Sequence, residues 1–290
     1  MLLTGIAVLL RILTNPLANV FQKQLTNRDH HPLFINFLTF FILSVVCIPL
    51  AIHVGWFSFS YDFWLYCLLM GLMGSIGNGF LIKALQSGDL SVLGPVNSYK
   101  SVVGIIVGFF LLGEVPGWWG VLGIVLIIWG SYFVLDTTKE RFSFRLLKRK
   151  DIQYRIWAML LTAIEAVFIK KIILLSSTTV SFIVWCWFGA AFSFLLLFVN
   201  HVKLKDGLKR LKKKVIPLYL YLVLCIGVMQ YTTNYVFNHM EVGYGLALFQ
   251  LSTIVSIFLG YHVFKEQDIV KKLIGSVIMV AGSIIIILLK

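Results

Sequence analysis

Apolar residues in this chain gather in long runs instead of alternating with polar ones. Five runs lie at 2–20, 32–54, 63–85, 90–112 and 116–135. Five more follow at 154–175, 180–200, 215–238, 243–264 and 269–289, and the stretch 136–153 between the groups is polar. About 20 apolar residues make a helix long enough to cross a ~30 Å hydrocarbon layer. An open segment in lipid must satisfy its own backbone hydrogen bonds, which makes each run a helix. The pattern predicts an all-α polytopic membrane protein with ten transmembrane helices.

Composition agrees. Of the 290 residues 59% are apolar and 13% charged, against ~45–50% and ~25% in soluble domains, which excludes an ordinary soluble enzyme. Cys47, Cys67, Cys186 and Cys225 all fall inside apolar runs without CxxC or metal-ligand spacing and read as small core residues. The first ten residues hold no lysine or arginine, so the positive start of a signal peptide is missing. The first run is therefore expected to remain as a span.

The chain repeats itself. Glu114 is followed by Gly123 and then Gly130-Ser131; Glu266 is followed by Gly275 and then Gly282-Ser283, each at an offset of 152. Val20-Phe21 with Lys23 is echoed by Val167-Phe168 with Lys170. Two echoes in the same order argue for duplication. The expected division is a first five-helix repeat at 1–135, a basic linker at 136–153 and a second repeat at 154–290. Five is odd, so the second copy enters the membrane upside-down. Inverted repeats of this kind bind solute near the midplane, where one repeat rocks against the other.

These features resemble the EamA-type branch of the drug/metabolite transporter superfamily. The resembling stretches are Asn15 to Lys23, Gly113-Glu114 with Gly123 and Gly130, Ile164 to Lys171, and Glu266 with Gly275 and Gly282. The resemblance covers nearly the whole chain. It implies ten spans in two five-span halves, a transport function, and both termini in the cytoplasm.

The basic residues point to the opposite orientation. Twenty of the 25 lysines and arginines lie in or beside loops that follow odd-numbered spans, among them Lys203, Lys205, Lys209, Arg210 and Lys212 to Lys214. Loops after even-numbered spans have Lys170 and Lys171 at an edge. The positive-inside rule then places the odd loops in the cytoplasm of a cell membrane and both termini outside. The net charge of +13 is thereby assigned to anionic lipid at the basic loops and not to nucleic acid. Leu208, Leu211 and Val215 stand at helical spacing among the lysines, so this loop reads either as an interfacial helix or as a solvated basic loop.

Charges at membrane depth are the informative ones, since each costs ~2.5–3.5 kcal/mol at a helix centre. Three stand far from the ends of their runs: Arg11, Lys100 and Glu165. Lys100 lies ten residues into the fourth run, about 15 Å by helical rise, just after Pro95, Asn97 and Tyr99. Pro95 predicts a helix start or kink there. A midplane lysine beyond a disrupted turn suits an anion, or it pairs with Glu165. At the offset of 152 Lys100 maps to Ser252, beside Gln250 and Thr253. Glu165 reads as a proton acceptor, an ion-pair partner or a cation ligand, and Arg11 as a substrate contact or a structural pair. Asn15, Asn19, Asn78, Gln230, Tyr231, Asn234 and Gln250 are candidate cavity residues, although interhelical bonding explains many such groups. Trp185 and Trp187 read as interface anchors before cavity lining. Glycines at steps of three (Gly71, Gly74, Gly77) and seven predict close helix packing, including a dimer contact through the fifth or tenth span. Glu114 and Glu266 read as N-terminal caps of those spans.

The resemblance bears on two of these charges. Sugar-phosphate and nucleotide-sugar carriers of the superfamily have a membrane lysine on the helix corresponding to that of Lys100 and Tyr99, which implies an anionic substrate group. Small multidrug members use a glutamate on the first helix of the repeat; span 6, which holds Glu165, is the matching helix, but the residue offset does not align.

The reading that follows is a secondary transporter of a small anionic or zwitterionic metabolite, proton-coupled through Glu165, acting as monomer or homodimer with no cofactor. No GxxxxGK[ST] loop is present, so ATP-driven pumping by this chain is not expected. The nearest alternative is a cation or multidrug exporter using Glu165. A membrane enzyme or flippase acting on a lipid-linked phosphate stands further off, because one deep carboxylate is too few to hold Mg²⁺ for such chemistry.

Overall fold

A computed structural model describes residues 2–100, 117–137, 148–240 and 242–288. The first half contains α1 (Leu2–Thr26), α2 (Pro32–Val46), α3 (Tyr61–Ser87), α4 (Leu90–Val96) and α5 (Trp118–Leu135). The second contains α6 (Lys150–Leu175), α7 (Thr178–Val199), α8 (Leu204–Lys209), α9 (Ile216–His239), α10 (Val242–Phe249), α11 (Ser252–Phe264) and α12 (Ile269–Leu288). Short helical turns at Ile48–Ala51 and Trp56–Ser58 follow α2. No strand occurs among the described residues. Helices fall on each of the ten apolar runs, and residues 101–112 of the fourth run lie outside the described residues. By length and composition α1, α3, α5, α7 and α9 are each sufficient to cross a membrane. Helix α6 is as long, and its Arg155 and Glu165 are buried inside the protein.

Helix ends follow local chemistry. His31 accepts from the Leu33 amide and Pro32 opens α2, since proline has no N–H to leave unpaired in a first turn. Ser60 and Ser177 accept from Phe63 and Val180 to cap α3 and α7. Span 4 is interrupted: α4 begins at Leu90, runs through Pro95 and tightens into a 3₁₀ turn at Asn97–Tyr99. Span 9 is interrupted at the corresponding place, where α10 ends at Phe249 and α11 restarts at Ser252. The two breaks face each other, with Asn97 Nδ2 donating to Gln250 Oε1 at 3.5 Å and Gln250 Nε2 to the Asn97 carbonyl at 3.4 Å.

The packing obeys a two-fold. Helix α1 packs on α9 and α3 on α6, and exchanging the repeats converts one contact into the other. The pairs α2·α7 and α5·α12 each map onto themselves. The sevenfold glycines show this at atomic distance. A Cβ on Gly130 would stand 2.5 Å from the Gly275 carbonyl oxygen, and one on Gly282 would stand 2.7 Å from that of Gly123. Gly123 and Gly275, and Gly130 and Gly282, are repeat mates, so the two crossings are one contact seen twice. These glycines close α5 against α12 inside the chain, which takes that face away from the dimer contact expected of it.

Beside its apolar core the molecule hides polar side chains and leaves many large apolar ones exposed. Asn19, Gln22, Asn36, Ser75, Gln230 and Asn234 are buried, whereas Leu9, Val125, Phe198, Leu220, Leu224 and Val277 are exposed. Lipid tails offer no reason to hide leucine but a strong one to hide amides, which then bond between helices. Asn36 Nδ2 donates to the Ser75 carbonyl and to Ser193 Oγ, both at 3.0 Å, joining α2, α3 and α7.

Candidate functional site

Helices α1, α3, α6, α7, α9 and α10, with the 3₁₀ turn after α4, surround an internal cavity of about 100 Å³. Its charged lining is Arg11 from α1, Lys100 just beyond the 3₁₀ turn, and Arg155 and Glu165 from α6. Three cations thus face one acid. Asn15, Asn19, Asn78, Asn97, Gln230 and Thr233 supply neutral polar groups, and Trp185, Phe237 and Phe249 supply aromatic surface. A charge at this depth is tolerated only where the bundle supplies partners.

Arg11, Arg155 and Glu165 are each held differently. Arg11 Nε donates to Thr233 Oγ1 at 2.8 Å and its guanidinium lies 4.8 Å from the Phe249 ring centroid. Its Nη1 is buried with no hydrogen-bond partner among the described residues. Arg155 Nε donates to the Leu93 carbonyl at 2.8 Å, one residue before the Gly94-Pro95 pair. That carbonyl's helical partner would be the Asn97 amide, which turns instead to the Gly94 carbonyl as the chain tightens into the 3₁₀ turn. Glu165 Oε1 accepts from Trp185 Nε1 at 2.7 Å, and Trp185 is itself fixed against Phe40 with ring centroids 4.6 Å apart. Gly74 makes room for that carboxylate: a Cβ there would stand 2.8 Å from the Glu165 carboxyl carbon. Among the described residues no ion pair joins Glu165 to Lys100 or Arg11, so the charges share a cavity without closing on one another.

The nine residues singled out for substrate separate into two groups. Arg11, Asn15, Asn97, Lys100 and Glu165 line the cavity. Tyr99 is turned toward α5, donating to Ser131 Oγ at 2.6 Å. Gln250 bonds across the two helix breaks. Asn234 is buried between Gln230 and Ser181, bonded to both. Tyr231 is exposed and stands edge-on to Phe182. These four lie off the cavity wall because their partners are neighbouring helices. Trp185 is a buried wall residue and no interface anchor, while Trp187 packs on Trp56 at 5.0 Å.

Two features escaped sequence reasoning. Arg155, the second residue of the sixth run, counts in the sequence with the charges of the preceding basic loop. Helix α6 instead starts at Lys150, which carries Arg155 about 7 Å down the helix axis and into the cavity. The second is a buried cluster between the repeats. Lys265 ends α11 at φ 57°, and this left-handed residue turns the chain so that the Glu266 amide returns to the Gly260 carbonyl. The Glu266 carboxylate then accepts from the Leu90 amide at 2.8 Å, the Ser91 amide at 2.9 Å, Ser91 Oγ, and Lys23 Nζ at 3.0 Å. Lys23 also donates to the Gly88 carbonyl and Lys272 to Ser91 Oγ, both at 2.9 Å. Glu266 therefore caps α4, across the repeat boundary, and not the span that follows it. Burial raises its carboxyl pKa, but Lys23 and the Ser91 donors outweigh that and hold it below the usual carboxylate range. Lys170, the echo of Lys23, donates to the Phe237 and Met240 carbonyls at the opposite end. Met240 is Gly88 moved by 152. Glu114, the echo of Glu266, lies outside the described residues. The pairing of a repeated lysine with a repeated glutamate was the signal in the sequence.

An all-helical bundle of two inverted repeats, with four charged side chains turned into one internal cavity, is the architecture of a membrane transporter. The sequence matches the EamA-like transporter family over residues 4–136 and again over 152–288, and the chain belongs to that family. A solved structure, titled only as the crystal structure of a protein, is similar with a TM-score of 0.69 at 17% identity. The match covers 98% of this chain and 97% of that one, and it shows the fold. No curated protein matches the chain.

Proposed function

We propose that this protein is a secondary transporter of a small anionic or zwitterionic metabolite, working by alternating access. The observation that carries the proposal is the cavity's charge: Arg11, Lys100 and Arg155 against Glu165 alone. An acidic group on the solute answers the excess of positive charge, and Glu165 with Trp185 suits either an amino group or a coupling proton. An exporter of cations through Glu165 would have to bring a positive solute up to three fixed cations. Like charges at such distances repel strongly where water is scarce.

The cavity volume of about 100 Å³ equals a few water molecules at ~30 Å³ each, below the ~300 Å³ of ordinary ligand sites. Solute entry therefore requires the repeats to move. The Lys23–Glu266–Ser91 cluster bridges them on the odd-loop side, and its release opens the cavity there. Counterflow in proteoliposomes across a panel of anionic, zwitterionic and cationic metabolites tests the proposal. Exchange confined to solutes with a carboxylate or phosphate supports it, and exchange of cations alone overturns it.

A further inference from the structure

The basic loop before α9 is built into the fold. Gly207 lies so flat on the Phe34 ring that a Cβ would stand 2.6 Å from its Cγ. Arg210 donates to the Asp29 carbonyl, Arg28 to the Lys214 carbonyl at 3.2 Å, and Tyr219 OH lies 3.0 Å from His30 Nδ1. Both arginines are fixed on neutral carbonyls, so their charge is left uncompensated. Between the two loops is an open trough of about 910 Å³, faced by Arg28, Lys209, Arg210, Lys212, Lys213 and Lys214, with Asp29 its one acid. A free basic loop would extend to separate its charges; this one is tied so that they converge.

The trough continues into an apolar stripe. Ile216, Leu220 and Leu224 stand one turn apart on α9 and are exposed. Their spacing of four places them on one side of the helix, descending from the trough toward the membrane interior. A soluble anion has no use for that stripe, whereas an acyl chain does. We propose that the trough is a binding site for an anionic phospholipid, with headgroup phosphate among the lysines and an acyl chain along Ile216, Leu220 and Leu224. The site spans the 1–2 loop of one repeat and the 7–8 loop of the other, so an occupied trough ties the repeats together on this face. It is independent of what the central cavity carries.

The test uses the full-length protein, delipidated in neutral detergent, with cardiolipin, phosphatidylcholine and inorganic pyrophosphate as separate probes. Binding is followed by native mass spectrometry and thermal unfolding. Cardiolipin is expected to bind at least about tenfold more tightly than phosphatidylcholine. The triple substitution Lys212→Gln, Lys213→Gln and Lys214→Gln should abolish that preference. A control triple on the same face, Lys205→Gln, Lys265→Gln and Lys271→Gln, removes equal charge outside the trough and should keep it. Equal loss in both triples, or no preference in the native protein, overturns the site. Pyrophosphate binding as tight as cardiolipin overturns the lipid assignment. Leu220→Gln should weaken cardiolipin and leave pyrophosphate unchanged, and an unchanged cardiolipin affinity would remove the acyl-chain contact.

Discussion

Three side chains give the cavity its sign: Arg11 rests on Thr233 and the Phe249 ring, Arg155 on the Leu93 carbonyl, and Lys100 lines the wall. Charge-assisted hydrogen bonds are worth ~1.5–3 kcal/mol, so removing one that holds solute lowers affinity roughly ten- to hundredfold. Lys100→Ala is expected to cost that much for an anionic solute, read as the counterflow half-saturation concentration, with thermal stability little changed. Arg155→Gln should cost as much and also unsettle the Leu93 carbonyl, so its melting temperature falls where that of Lys100→Ala does not. Glu165 is placed by Gly74, and the atoms a new methyl would meet are the end of a flexible side chain. Gly74→Ala should therefore fold and still displace the carboxylate from Trp185. If Glu165 accepts the coupling proton, Gly74→Ala and Glu165→Gln share one phenotype in proteoliposomes: exchange persists and uptake driven by a pH gradient is lost. Gradient-driven uptake retained in Glu165→Gln rejects that coupling.

At the scale of helices, the contrast with Gly74 lies in what the added methyl meets. At Gly130 it is the Gly275 carbonyl oxygen and the Met279 amide nitrogen, 2.5 and 2.8 Å away, and backbone cannot swing aside. Overpacking of this kind costs ~1–3 kcal/mol, so Gly130→Ala should lower the melting temperature by several degrees while Gly74→Ala does not. The Glu266 cluster adds a pH dependence. Its folded pKa lies below the unfolded value, so its contribution is present above the usual carboxylate pKa of ~4.3 and lost as pH falls through the folded value. Wild type should melt above Glu266→Gln at neutral pH, and the two should converge as pH drops below about 4; a constant gap would show that the charge of Glu266 is not what stabilises α4. The helices and their duplication were legible because periodicity, length and repeated spacing are written in local order. The offset of 152 aligned the glutamates and glycines before any contact was known. Arg155 was not legible, because one residue past a run's edge is loop or cavity depending on where the helix begins. The roles of Tyr99, Asn234 and Gln250 were equally hidden: an amide or phenol inside a bundle looks the same whether it faces solute or a neighbouring helix.

For the molecule as a whole, the structure changes which charges bear on orientation. Lys23, Arg155 and Lys272 are buried on the odd-loop side and act inside the protein, so they leave the loop count. On the even side Lys170 is bound to two carbonyls and Lys171, still exposed, lies 5.0 Å from the Tyr66 ring centroid. What remains exposed and basic on the odd side still includes Lys203, Lys205, Lys209 and Lys212 to Lys214. The asymmetry therefore survives, and the positive-inside rule counts charges in such short loops near span ends. We expect the odd loops to face the cytoplasm and both termini the exterior, against the orientation the family resemblance implies. The lipid trough then faces the cytoplasmic leaflet, where anionic headgroups give a negative surface potential. Single cysteines at exposed positions on either side decide it, in a background with Cys47, Cys67, Cys186 and Cys225 replaced. In intact cells Phe57→Cys, after the second span, should react with an impermeant maleimide, and Lys205→Cys, after the seventh, should react only once the membrane is opened. The reverse pattern would put the termini inside and the trough on the outer surface. The free charges would then have to be held against the insertion rule by the packing of the repeats themselves.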